Sequence, residues 1–142
     1  MNIVELFQKA QRTLKNPTFR YQSGIGQVKI YIPKKAREDA TFRNYLYILV
    51  NDIYYAKVTR DNQITFDPRL TIPQEHKDIV MGIFNDPVGK AILHGQKYSN
   101  CCFCGLEITN ADSLAVGYGP ICAEKWDLPH AGMAAKKDLE NL

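Results

Sequence analysis

A chain of 142 residues with 45% hydrophobic and 23% charged residues can bury one ordinary core, and no apolar run nears the roughly 20 residues that cross a bilayer. The first residues, Met1 to Phe7, lack the basic stretch and apolar core of a secretory signal, so a cytoplasmic setting without a membrane partner is expected. The net charge of +3 is unevenly placed: residues 1–50 hold nine Lys or Arg against three acids, and residues 51–142 hold nine against twelve.

In chain order, Asn2 is placed to cap a first helix in which Ile3, Phe7, Ala10 and Leu14 recur at helical spacing, and Asn16-Pro17 stops it. From Val28 the period changes to two: Val28, Ile30 and Ile32 face one way and Lys29 and Tyr31 the other, until Pro33 closes the strand. The charged run Lys34 to Thr41 reads as a loop. Tyr45 to Val50 and Ile53 to Val58 are rich in aromatic and β-branched residues, and Asn51-Asp52 between them predicts a tight hairpin. Arg60-Asp61-Asn62 turns the chain into Gln63 to Phe66. The pattern is one helix followed by a four-strand antiparallel meander.

Pro73 opens a helix striped by Ile79, Val80, Ile83 and Phe84. Asp86-Pro87 restarts helix through Ala91, Ile92 and Leu93, and Gly95 is expected to end it. All four cysteines follow, in Cys101-Cys102-Phe103-Cys104-Gly105 and Gly119-Pro120-Ile121-Cys122. Cys-x-x-Cys-Gly has the shape of a zinc knuckle, its glycine letting the backbone fold back while two sulfurs face one ion. Leu106 to Ile108 and Leu114 to Val116 are expected to pair as a small hairpin. Pro120 suits a first helical position, which sets Cys122 in a first turn where dipole and free amides favour a thiolate.

A disulfide is disfavoured where thiols stay reduced. A thioredoxin-like motif would open a helix after a parallel strand, whereas Gly105 and a strand-like stretch follow here. The compact knuckle favours one tetrahedral Zn2+ over an iron–sulfur cluster. Cys101, Cys104 and Cys122 have ligand spacing. The position one turn further along the helix holds Lys125 and Trp126, so the fourth ligand is sought in His130 first, then Cys102, His94 and Asp127. The organisation is therefore α+β: residues 1–95 a small antiparallel sheet with flanking helices, 96–130 a treble-clef-like zinc finger, and 131–142 a helix or tail.

The run Asn100 to Ser113, with Val116-Gly-Tyr-Gly-Pro-Ile-Cys-Ala-Glu-Lys-Trp126 and Leu128-Pro129, resembles an uncharacterised zinc-finger family common in tailed bacteriophages and prophages. That family's pattern is Cys-x-x-Cys-Gly-Arg-x-Leu-Thr-x-x-x-Ser, then Gly-x-Gly-Pro-x-Cys-Ala; Leu106 and Ile108 stand here where it has Arg and Leu. Leu14 to Pro17 and Tyr54 to Val58 are similar to segments of its longer phage members. The resemblance implies phage origin and metal binding, and related fingers fused to helicase-like proteins raise the expectation of nucleic acid.

Two functions are expected from these features. One is a phage accessory protein that binds a host protein, such as a transcription or defence component. The alternative is a nucleic-acid-binding module on the basic N-terminal half, with Lys29, Lys34, Lys35, Arg37 and Arg43 holding phosphates and Tyr21, Tyr31, Tyr45 and Tyr47 offering rings for stacking. No P-loop or nucleophile–base pairing is visible, and His76, His94 and His130 are scattered, so no catalytic activity is expected.

Overall fold

The computed structural model describes residues 1–34 and 45–130. Helix α1 (Ile3–Ala10) precedes five strands: β1 (Thr18–Ser23), β2 (Gly26–Tyr31), β3 (Leu46–Val50), β4 (Ile53–Val58) and β5 (Ile64–Phe66). They lie in that order as one antiparallel meander. Among the described residues four helices follow: α2 (Gln74–Asn85), α3 (Pro87–Tyr98), α4 (Ala111–Val116) and α5 (Pro120–Trp126). The class is α+β, as expected. No helix among the described residues is long and apolar enough to cross a membrane.

Local signals set most boundaries. The Glu5 amide donates to Asn2 Oδ1 at 2.8 Å, and the Gly89 amide to Asp86 Oδ1 at 3.1 Å, so both caps work as the sequence predicts. Asn51 and Asp52 take φ of 50° and 65°, the paired left-handed conformations of a two-residue hairpin.

Three expectations are corrected. The pattern predicts four strands, but the sheet has five, because Thr18–Ser23 pairs along its length with β2. Residues 114–116 belong to a helix, not to a hairpin: the Ser113 amide donates to Asn110 Oδ1 at 2.8 Å, and Gly117 closes the helix at φ 78°. The knuckle is flanked instead by a single antiparallel bridge, Asn100 with Glu107. Gly95 does not end α3, which runs on to Tyr98; it sits where the helix backbone meets Gly117 so closely that a Cβ would stand 2.1 Å from the Gly117 carbonyl oxygen. Residues 131–142 and most of the run Lys34 to Thr41 lie outside the described residues.

Strand alternation gives the sheet two unlike faces. Phe19, Val28, Ile30, Leu46, Ile48, Val50, Ala56 and Val58 are buried on the inner one, and Ile3, Leu6, Phe7 and Ala10 of α1 join the same core. That core continues without a break through Cys101, Cys102 and Phe103 to Trp126.

Candidate metal centre and aromatic sheet face

The knuckle closes through its main chain. The Gly105 amide donates to the Cys101 carbonyl at 2.8 Å, and Gly105 holds φ 75°, a conformation that strains other residues. The Phe103 amide points at Cys101 Sγ, 3.4 Å away. From the other side, Pro120 begins α5 and puts Cys122 in its first turn. The result brings the sulfurs of Cys101, Cys104 and Cys122 within 4.8 Å of one another.

Charge decides what such a cluster needs. The Cys122 thiol donates to the Cys101 sulfur and draws the Cys101 thiol down to about 6, against burial and with help from the Phe103 and Cys104 amides. The same hydrogen bond, then burial, pushes Cys122 far above the usual thiol range, and burial also raises Cys104. One thiolate is thus supported and three are not, unless a cation sits among them. The donor set fits a metal ion that accepts sulfur.

The other expected ligands have these surroundings. Cys102 is buried beside Cys101, with its thiol pushed up by burial and then by the Cys101 charge. Asp127 pairs with Lys9 at 2.7 Å, and His94 Nδ1 accepts the Gln22 amide at 3.2 Å. The buried His130 ring has Nε2 3.1 Å from Ser113 Oγ. Ser113 itself lines the cleft, about 160 Å³ in volume, that holds all three clustered cysteines.

The finger is seated on the first third of the chain. Phe103 packs on Phe19 (ring centroids 5.6 Å) and on Trp126 (4.6 Å), and Trp126 packs edge-on against Phe7 at 5.0 Å. The Arg20 amide donates to the Cys102 carbonyl at 2.9 Å, which covers part of the β1 edge.

The outer face of the sheet is polar and aromatic. Thr18, Tyr31, Tyr47, Lys57 and Thr65 stand opposite one another across all five strands, with Arg20, Lys29, Leu49 and Tyr54 in the neighbouring row. A β-bulge after Ile48 makes Tyr54 the partner of Leu49 and leaves Tyr55 as the extra residue. Tyr47 is the centre of a ring cluster, with Tyr54 at 4.9 Å, Tyr45 stacked at 5.6 Å and Tyr31 at 6.1 Å. Lys29 Nζ lies 4.9 Å from the Tyr31 ring, and Lys57 Nζ 5.6 Å from the Tyr45 ring. Burial raises the hydroxyl pKa of Tyr31 and Tyr54, and the neighbouring Tyr47 adds to it, so both stay protonated donors.

Of the residues singled out in the sequence, Lys29, Tyr31, Tyr45 and Tyr47 meet on this face. Tyr21 turns the other way, onto His94. Lys34 follows β2 and is exposed, whereas Lys35, Arg37 and Arg43 lie outside the described residues. Tyr54 and Lys57 complete the face from β4. Their period-two spacing across the Asn51-Asp52 hairpin was the signal that could have found them, had the bulge been visible.

Fold and site together define an α+β protein with a three-cysteine cluster that could hold a metal ion. Residues 91–127 match the model of a family of unknown function, DUF6011. No curated protein and no solved structure matches the chain. The matched span holds most of α3, the knuckle, α4 and α5; the sheet lies outside it.

Proposed function

We propose that this protein is a small zinc-stapled binding module whose working surface is the outer sheet face and whose ligand is single-stranded nucleic acid. The observation that carries this reading is the ring cluster of Tyr31, Tyr45, Tyr47 and Tyr54 with Lys29 and Lys57 beside it. Rings stack on bases of any sequence, at about 1–3 kcal/mol per base, while cations hold the backbone. In the same reading zinc is the ion, chosen by three thiolates, and its role is structural. The protein acts without catalysis, in the cytoplasm of a phage-infected host, consistent with the phage-family motif that Cys101 to Ala123 resembles.

The test is fluorescence anisotropy of labelled oligonucleotides. Micromolar or tighter binding is expected, falling with salt by about 0.7 log units per decade for each phosphate held. Tyr47→Ala should weaken it about tenfold or more, as the loss of one to two stacked bases predicts. Absence of binding at low salt overturns the reading.

A host protein is the second ligand class, favoured by a different surface. Leu106 and Ile121 are 70% and 67% exposed and line the cleft of the three cysteines. Large apolar side chains paired in this way suit a protein partner. Nuclease-resistant capture of one host protein, lost in Leu106→Lys, would support it.

Whether His130 takes the fourth zinc position is read from the metal, since a histidine that binds zinc through one ring nitrogen commonly holds a hydrogen-bond partner such as Ser113 on the other. In His130→Gln, lost zinc or a changed Co2+ absorption spectrum would mean that the ring binds the ion; unchanged stoichiometry and spectrum would exclude it from the ligand set.

A further inference from the structure

We infer that the cleft between β1, α3 and the knuckle is a phosphate subsite, which holds one phosphodiester of a strand lying on the outer sheet face. This rests on the nucleic-acid reading above and names where the backbone is gripped. The cleft has a volume of about 330 Å³ and is lined by Arg20, Gln22, Gln27, His94, Tyr98 and Asn100, with Cys101 and Gly105 of the knuckle. No carboxylate lines it.

His94 is set as a donor by the fold. Its Nδ1 accepts the Gln22 amide at 3.2 Å, so the neutral ring carries its proton on Nε2. Burial lowers the His94 pKa, which keeps the ring in that neutral form near pH 7. Arg20 has no carboxylate partner among the described residues, and its main chain is fixed by the bond from its amide to Cys102. A guanidinium fork, a ring N–H, a phenol and three side-chain amides therefore surround one space, a donor set that fits a tetrahedral oxyanion.

Position makes the anion a backbone phosphate. Arg20 is the cross-strand partner of Lys29, and Thr18 of Tyr31, so the cleft opens on the row next to the tyrosines. Two residues along a strand span about 6.6–6.8 Å. A strand whose bases stack on Tyr31 and Tyr47 can thus run its backbone past Lys29 into the cleft. The metal-bound knuckle holds one wall, which links zinc to nucleic-acid affinity.

The experiment uses the zinc-loaded full chain, a labelled oligothymidylate and inorganic phosphate. Arg20→Gln should raise Kd about tenfold or more, the worth of a charged hydrogen bond, and flatten the salt slope by about 0.7. Arg20→Lys should keep the slope and recover part of the affinity, whereas Tyr47→Ala weakens binding at unchanged slope. Wild-type affinity and slope in Arg20→Gln overturn the subsite and leave the sheet-face reading intact. If the wild-type chain binds no oligonucleotide, the sheet-face reading falls, and ¹H–¹⁵N spectra with inorganic phosphate judge the cleft alone. Shifts at the His94 ring and Gln22 amide, abolished in Arg20→Gln, would then support a free-phosphate site; no shifts would overturn it.

Discussion

Two glycines at matching places in two helices should respond in opposite directions to the same substitution. Gly82 and Gly95 are each ninth in a twelve-residue helix, α2 and α3. Alanine in a helix interior gains about 0.8–1.0 kcal/mol over glycine. At Gly82 a new Cβ would meet only the Lys90 side chain, at 3.5 Å, an ordinary contact. Gly82→Ala should therefore stabilise by about 0.5–1 kcal/mol and raise Tm by roughly 2–4 °C. At Gly95 the Cβ would stand 2.1 Å from the Gly117 carbonyl oxygen and 2.2 Å from its Cα, atoms of backbone that cannot swing aside. Helix and loop must separate by about 1 Å, which costs about 1–3 kcal/mol or more and outweighs the propensity gain. Gly95→Ala should lose about 1–2 kcal/mol net and roughly 4–8 °C in Tm. Because Gly117 leads into the turn that carries Cys122, the variant should also release metal at lower chelator concentration. Urea melts of both variants, metal-loaded, are the assay. If Gly95→Ala matches or exceeds Gly82→Ala in midpoint, the close approach of α3 to Gly117 does not exist in solution.

Three further outcomes are expected. Purified reduced protein should hold about one zinc per chain, lost in Cys122→Ser; Cys102→Ala should keep it at a cost of about 1 kcal/mol, and elemental analysis giving the reverse order would remove Cys122 from the ligand set. Because Phe103 and Trp126 join the finger to Phe19 and Phe7, chelation should loosen α1 as well as residues 96–130, seen as faster amide exchange at Phe7 and Ala10; unchanged protection there would make the finger an independent unit. Finally, the Arg69 side chain, then its amide, lowers the pKa of Asp67. The stability this carboxylate contributes is present above its unfolded pKa, near 4, and is lost as pH falls through the lower folded value. Asp67→Asn should therefore show a shallower loss of urea midpoint below about pH 4, and an unchanged acid limb would discount the pair.

Much of the fold was legible one element at a time. Asn2, Asp86-Pro87 and the Cys101–Gly105 knuckle each act through hydrogen bonds that close within a few residues, and Asn51-Asp52 through the left-handed φ of the pair itself, so type and spacing suffice. The α4 helix was also signalled locally, by Asn110 and Gly117, but Leu114-Ala115-Val116 carries three apolar residues in a row and reads equally as a short strand. Strand β1 alternates as a strand should, with Phe19 inward and Arg20 outward. Its weak apolar content hid it, because its edge is completed by the Cys102 carbonyl and the His94 ring, far along the chain.

The sequence by itself determined the thiol cluster and the alternation of the sheet, since metal spacing and period-two patterning are properties of neighbouring residues. Only the tertiary structure decided the rest. It made Gly95 a point of backbone contact and set His130 against Ser113. It also gathered Tyr31, Tyr45, Tyr47 and Tyr54 into one cluster. Each of these depends on register, a bulge or a helix approach. Those are fixed by how buried surfaces fit together across the chain, which no short window of residues contains.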